Sequence, residues 1–212
     1  MHRTAFLRIK RRIIYTIVCF FLFCLVHTER LYPDHPQKES VEHIINTCTF
    51  TRVQKPLLIH TDKKTLEYFI EHVEELTKHG KDFRRKELLL EVRGNNRYGI
   101  QMPKKRITGE FELAERKENK AIYLGYGTAS VFFHFSGSIV LEVEYVTKKE
   151  GDEQQEEVSS VVHIKFNNPF FAFLAKAATP LLTPQLDKLI AQFSTKTKKV
   201  VEETYESGIK EK

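Results

Sequence analysis

Two of the chain's nine histidines stand inside apolar, strand-like sequence, where an imidazole can do chemistry. His134 lies in Val131-Phe132-Phe133-His134-Phe135 and His163 in Val161-Val162-His163-Ile164. A histidine beside aromatic residues is a candidate general acid or base, because small shifts move its proton across neutral pH. His134 shares a strand face with Phe132 and is the better placed to line a pocket. Tyr123 and Tyr145, with Tyr98 and Tyr126, are candidates to bring hydroxyls to it, although tyrosine is also common on half-buried strands. His163 alternates with Lys165 opposite Val162, Ile164 and Phe166, which predicts that it faces water. The default for either histidine is a hydrogen-bonded structural role.

The remaining patterns exclude more than they offer. His72 and Glu75 are three residues apart on a helical stretch, but no second ligand pair accompanies them and no HExxH sequence occurs. Gly125-Tyr126-Gly127 lacks the third glycine of a dinucleotide loop and runs on into strand-like sequence, so it reads as a bend. Neither G-x-S-x-G nor a Walker sequence is present. Cys19 and Cys24 lie in an apolar run, leaving Cys48 alone beyond it, so no disulfide or cysteine-type metal cluster is expected there. No metal, cofactor or catalytic residue is assigned. Two basic clusters, Lys81/Arg84/Arg85/Lys86 and Lys104/Lys105/Arg106, precede strands. They read as soluble turn chemistry, or as headgroup contacts if that end of the sheet meets a bilayer.

These residues need a scaffold, and the periodicity supplies one. His43–Arg52 alternates as a first strand. Thr61 or Asp62 caps a helix that Gly80 stops, with Leu66, Phe69, Ile70, Val73 and Leu76 on one stripe. From Lys86 the period changes to two. Strands are predicted at Glu87–Arg93, Arg97–Met102, Arg106–Glu115, Lys120–Gly127, Ser130–Phe135, Ser138–Thr147 and Val158–Phe166. Ser130–Thr147 is alternatively one long bent strand. Ile139, Leu141, Val143 and Tyr145 oppose Glu142 and Glu144, which predicts an antiparallel sheet with one dry and one wet face. Lys148–Glu157 reads as an exposed charged loop. Asn168 and Pro169 open a C-terminal helical region, Pro180 interrupts it, and Thr183 with Pro184 restarts it. Phe170–Ala178 is apolar nearly all round, so it is either core on every side or covered in part by a ligand, a membrane or a partner.

The N-terminus has a different character. Arg3, Arg8, Lys10, Arg11 and Arg12 precede the uncharged run Ile13–Val26. That pattern predicts a cytoplasmic basic segment (1–12), a transmembrane signal-anchor (13–28), a linker (29–40), an exported α+β domain (41–207) and a short tail (208–212). Fourteen residues make a helix of about 21 Å, short for a hydrocarbon core of about 30 Å. Cleavage is disfavoured because Phe20–Pro36 contains no Ala, Gly or Ser. The net charge of +6 comes almost wholly from residues 1–28, and the rest is within one charge of neutral. A nucleic-acid partner is therefore not expected.

The order strand, helix, about six antiparallel strands and long C-terminal helix resembles the helix-grip domains of the START-like superfamily, which includes polyketide cyclases and lipid-transfer proteins. The resemblance covers roughly residues 41–206 and is one of topology, without a shared residue motif. It implies a curved sheet around the last helix and an apolar cavity between them. The pocket-lining candidates are Phe132, His134, Tyr123, Tyr145, Phe170, Phe173, Leu174 and Leu186. The expected function is a membrane-anchored, non-catalytic domain binding an apolar or lipid-like ligand. The alternatives are an envelope protein–protein interaction module without ligand, and a cyclase- or hydrolase-type enzyme using His134 and a tyrosine.

Overall fold

The computed structural model describes residues 39–80, 83, 88–94, 96–130, 134–150 and 153–208. The chain divides into Met1–Lys38 and Glu39–Lys212. The expected basic segment, signal-anchor and most of the linker thus lie outside the described residues, as does most of the tail. Among the described residues no helix is long and apolar enough to cross a membrane.

The second unit is an α+β, helix-grip-like arrangement: a large antiparallel sheet followed by a long C-terminal helix. It begins with a helix, α1 (Val41–Thr47), where the alternation predicted a strand. Ser40 caps it by accepting from the His43 N–H at 3.2 Å. Val41, Ile44, Ile45 and Cys48 follow helical spacing, and this competing period, combined with the cap, wins over the strand reading. Two short strands, β1 (Phe50–Val53) and β2 (Leu57–Ile59), then pair with successive parts of the last strand.

Asp62 rather than Thr61 caps α2 (Lys63–Glu71), accepting from the Thr65 N–H at 2.7 Å. The predicted single helix breaks at His72 and resumes as α3 (Glu75–His79). The predicted stripe holds across the break, since Leu66, Phe69 and Ile70 are buried and Val73 and Leu76 pack against the same core. Gly80 ends α3 without a left-handed conformation. Its role is space: a Cβ there would lie 2.5 Å from the Leu76 carbonyl oxygen and 2.7 Å from Val200.

Six long-range strands follow: β3 (Leu89–Gly94), β4 (Arg97–Met102), β5 (Ile107–Lys117), β6 (Lys120–Ser130), β7 (His134–Glu150) and β8 (Glu153–Phe166). The sheet order is β1-β8-β7-β6-β5-β4-β3, all antiparallel, with β2 also on β8. The two strands predicted in 130–147 resolve differently, since Ser130 ends β6 and one strand runs on from His134. The predicted charged loop 148–157 is mostly strand, and Gln155 and Glu156 are buried within it. Composition misled there because β2 pairs with β8 at Glu156–Val158 and β7 pairs with it on the other side. Gly109, Gly127 and Gly137 lie opposite one another across β5, β6 and β7. A Cβ on Gly109 would sit 2.6 Å from the Tyr126 oxygen, so the row permits a backbone approach that side chains forbid.

The C-terminal region is two helices, α4 (Pro169–Ala177) and α5 (Thr179–Glu206). Asn168 caps α4 and Pro169 takes its first position, as the sequence predicts. Pro180 sits in the first turn of α5, but Pro184 lies inside that helix and no restart occurs. The inner sheet face meets α2, α3 and α5 in the main core, with Tyr123, Tyr145, Val200 and Val201 buried. The outer face is not uniformly wet. There α1 covers Ile122, Leu124 and Val140 with Ile44, forming a second, smaller core.

Candidate functional site

One flank of α5 is stapled to the sheet edge. Arg52 Nε and Nη2 donate to Asp187 Oδ1 and Oδ2 at 2.8 and 2.6 Å. Ser194 Oγ donates to Gln54 Oε1 at 2.8 Å, and the His60 N–H donates to Glu202 Oε1 at 2.8 Å. These contacts hold the helix against β1, β2 and the strand beside them. Its other flank borders a cavity of about 270 Å³. Leu189, Gln192, Phe193 and Lys196, spaced as one helical face, form that wall. Phe83, Leu88, Met102 and Lys104 form the opposite one, reached from the β3–β4 side of the sheet.

The lining combines core hydrophobic residues with Gln192, Lys104 and Lys196. Phe83, Leu88 and Met102 are buried members of the main core, and Phe83 packs on Phe193 with ring centroids 6.3 Å apart. Lys104 and Lys196 belong to the same lining, one on each wall. Small-molecule pockets combine a mainly apolar lining with a few polar groups, and at about 270 Å³ this cavity falls just below their usual range of about 300–1,000 Å³.

The sequence candidates fall elsewhere. Tyr123 is buried and donates its hydroxyl to the Ile70 carbonyl. Tyr145 is 1% exposed; it donates to Glu67 and accepts from Arg116 Nη2 at 2.7 Å. Both phenols therefore serve the core. Phe170, Phe173 and Leu174 are exposed on α4, and Leu186 is half-buried one turn before Leu189. Phe132 and the His134 side chain lie outside the described residues; the His134 backbone pairs with Ser130 at the start of β7. Of the cavity walls, Leu189 and Phe193 belong to the apolar face legible in the sequence, and Lys104 belongs to one of its basic clusters. Nothing in one sequence joins them, because the two walls are about ninety positions apart.

Around Tyr145 a polar cluster closes the inner end of the sheet. Arg116 donates to Glu67 Oε1 at 2.9 Å and to Glu71 Oε1 at 3.3 Å. Burial works to raise the Glu67 carboxyl, but hydrogen bonds from Tyr145 and Arg116 outweigh it and hold its pKa below the ordinary value. Burial, reinforced by the hydrogen bond to Glu67, pushes the Tyr145 phenol up to about 12.

A second polar seam runs under α1, on the opposite sheet face from the cavity. His163 is 7% exposed, so the prediction that it faces water fails: α1 and its flanking residues cover this part of the outer face. Its Nε2 donates to Glu142 Oε1 at 3.0 Å, and Lys120 Nζ donates to Glu142 Oε2 at 2.6 Å. Its Nδ1 lies 3.2 Å from Thr51 Oγ1 and 3.9 Å from Cys48 Sγ. Burial raises Glu142, but Lys120 and His163 overcome it and its pKa is lowered. The histidine is thus a link between α1, β1 and the sheet. No group of three or more His, Cys, Asp or Glu among the described residues is arranged to hold a metal ion. His72 and Glu75 turn to different partners: His72 Nδ1 is 3.6 Å from Glu74, and Glu75 is 3.2 Å from His79 Nε2.

No protein-family model and no curated protein matches the chain. Solved structures do. A conserved protein from Geobacillus kaustophilus aligns with TM-score 0.50 and 13% identity, over 73% of this chain and 96% of its own. The ginseng major latex-like protein 151 from Panax ginseng aligns with TM-score 0.36 and 13% identity, over 65% and 93%. Norcoclaurine synthase from Thalictrum flavum aligns with TM-score 0.36 and 12% identity, over 82% and 96%. At these identities the likeness to the Geobacillus protein is one of fold. The class defined by fold and site is a helix-grip-like α+β domain with an apolar pocket beside its last helix.

Proposed function

We propose that this chain is a membrane-tethered, non-catalytic START-like domain that binds an apolar or lipid-like ligand between the sheet and α5. The observation that supports this most directly is the cavity lined by Phe83, Leu88, Met102, Leu189 and Phe193, with Lys104 and Lys196 in the same lining. A ligand with an apolar body and an anionic or polar head matches that distribution of chemistry. The basic and apolar N-terminal sequence supports tethering, with the domain on the far side of the membrane from residues 1–12.

The test uses the full chain in mild detergent and a naphthalene sulfonate probe, which combines an apolar ring system with an anionic head. The probe should bind with one site, and Leu189→Trp, which fills the cavity from the helix side, should weaken binding at least about tenfold, a loss of about 1.4 kcal/mol. The variant's circular dichroism should match that of the parent. Equal affinity in parent and variant would remove the cavity from the proposal.

A further inference from the structure

Helix α4 presents an apolar stripe to the outside. Phe173 is 69% exposed, Phe170 38% and Leu174 37%, and Ala177 continues the same spacing. The nine residues PFFAFLAKA carry one charge, Lys176. The opposite face is pinned, with Ala175 buried and the Phe171 ring 6.4 Å from that of Phe135. The stripe is therefore held outward by packing behind it. An exposed group of large apolar side chains on a fixed element marks an interaction surface.

The position of α4 relative to the start of the described chain identifies the occupant. Glu39 is bound at the same end of the sheet. It takes the Lys165 ammonium, its Oε2 is 3.5 Å from Ser138 Oγ, and its carbonyl accepts from the Tyr126 hydroxyl at 3.0 Å. Lys165 is four residues before Pro169, where α4 begins. Upstream of Glu39, the segment from Thr28 contains Pro33 and Pro36 and reaches at most about 40 Å when fully extended. The apolar run Ile13–Val26 ends one residue before it, with His27 between. Glu39, where that segment joins the sheet, and α4 lie at one end of β7 and β8, and the β7–β8 hairpin tip is at the other.

We propose that α4 is an interfacial helix that docks on the lipid bilayer, inserting Phe170, Phe173 and Leu174 at the boundary between headgroups and acyl chains. Such helices lie in the plane of the interface with the apolar face about 5–10 Å deep. The proposal rests on the tether in the functional reading above and is independent of what fills the cavity.

The chain has no tryptophan, so one introduced indole reports alone. The full chain carrying Phe173→Trp is reconstituted into phosphatidylcholine–phosphatidylglycerol vesicles, with and without bromine on the acyl chains. Val146→Trp, 58% exposed near the far end of β7, is the comparator. The indole at position 173 should be quenched by brominated lipid several-fold more than that at 146, and adding Leu174→Asp should bring it close to the comparator. Vesicle flotation is measured on every sample. Flotation with equally weak quenching at both positions overturns the docking and leaves the tether standing. Failure to float overturns the tether and the docking together, while the probe titration still reports on the cavity.

Discussion

Glu142 shows how one carboxylate can hold together elements far apart in sequence. It accepts from Lys120 on β6 and from His163 on β8, and that histidine reaches Thr51 on β1. Because its folded pKa is depressed, the stabilisation it supplies is complete above the unfolded value of about 4.5 and is lost as pH falls through the lower folded value. Glu67 acts with the same sign at the Arg116 cluster. Glu142→Gln should cost about 1–3 kcal/mol at neutral pH and flatten the acid side of the stability profile. Thermal midpoints between pH 3 and 6 test this, and an unchanged acid slope would show that the seam does not titrate with folding. Glu156 stands apart: it is fully buried, Thr147 donates to its Oε1 at 2.8 Å, and its Oε2 has no partner among the described residues.

At the scale of elements, α1 decides that the sheet has two covered faces. Ile44 is fully buried against Ile122, Leu124 and Val140, and the helix around it is only seven residues long. A helix that short has little intrinsic stability, so tertiary burial must hold it. Ile44→Ala should cost about 2–4 kcal/mol in denaturant unfolding. It should leave probe affinity unchanged, since α1 and the cavity lie on opposite faces. A matching loss of affinity would mean that the two faces are coupled. The clamp on α5 has the complementary role: Arg52–Asp187 and Gln54–Ser194 fix one flank, and the unclamped flank borders the cavity.

At the scale of the whole domain, three tyrosines on β4, β6 and β7 tie the sheet to α2. Tyr98 on β4 donates to the Glu71 carbonyl, Tyr123 on β6 to Ile70, and Tyr145 on β7 to Glu67. Burial raises the phenols of Tyr98 and Tyr145 to about 12 and drives Tyr123 higher still. A raised folded pKa gives stabilisation that is full below the unfolded value near 10 and lost as pH climbs through 12. Absorbance at 295 nm should therefore show a late ionisation phase coincident with loss of the far-ultraviolet dichroism. One early phase near pH 10 with the dichroism intact would contradict this.

Local signals carried much of the architecture. The α2 stripe, the Asn168–Pro169 cap, strand β4 at Arg97–Met102 and the strands around it were legible because periodicity and capping depend on neighbours in the chain. So was the α+β order with its long closing helix. The helix at Val41–Thr47, the burial of His163 and the strand through Glu153–Glu157 were not, since each depends on what another element lays over it. The same limit applies to the cavity. Leu189 and Phe193 announce a helix face by their spacing, but only the packed structure brings Phe83, Leu88 and Met102 against them. Periodicity determines which side of an element is apolar. Tertiary packing alone decides whether that side meets core, cavity or the outside, because that depends on contacts between residues tens of positions apart.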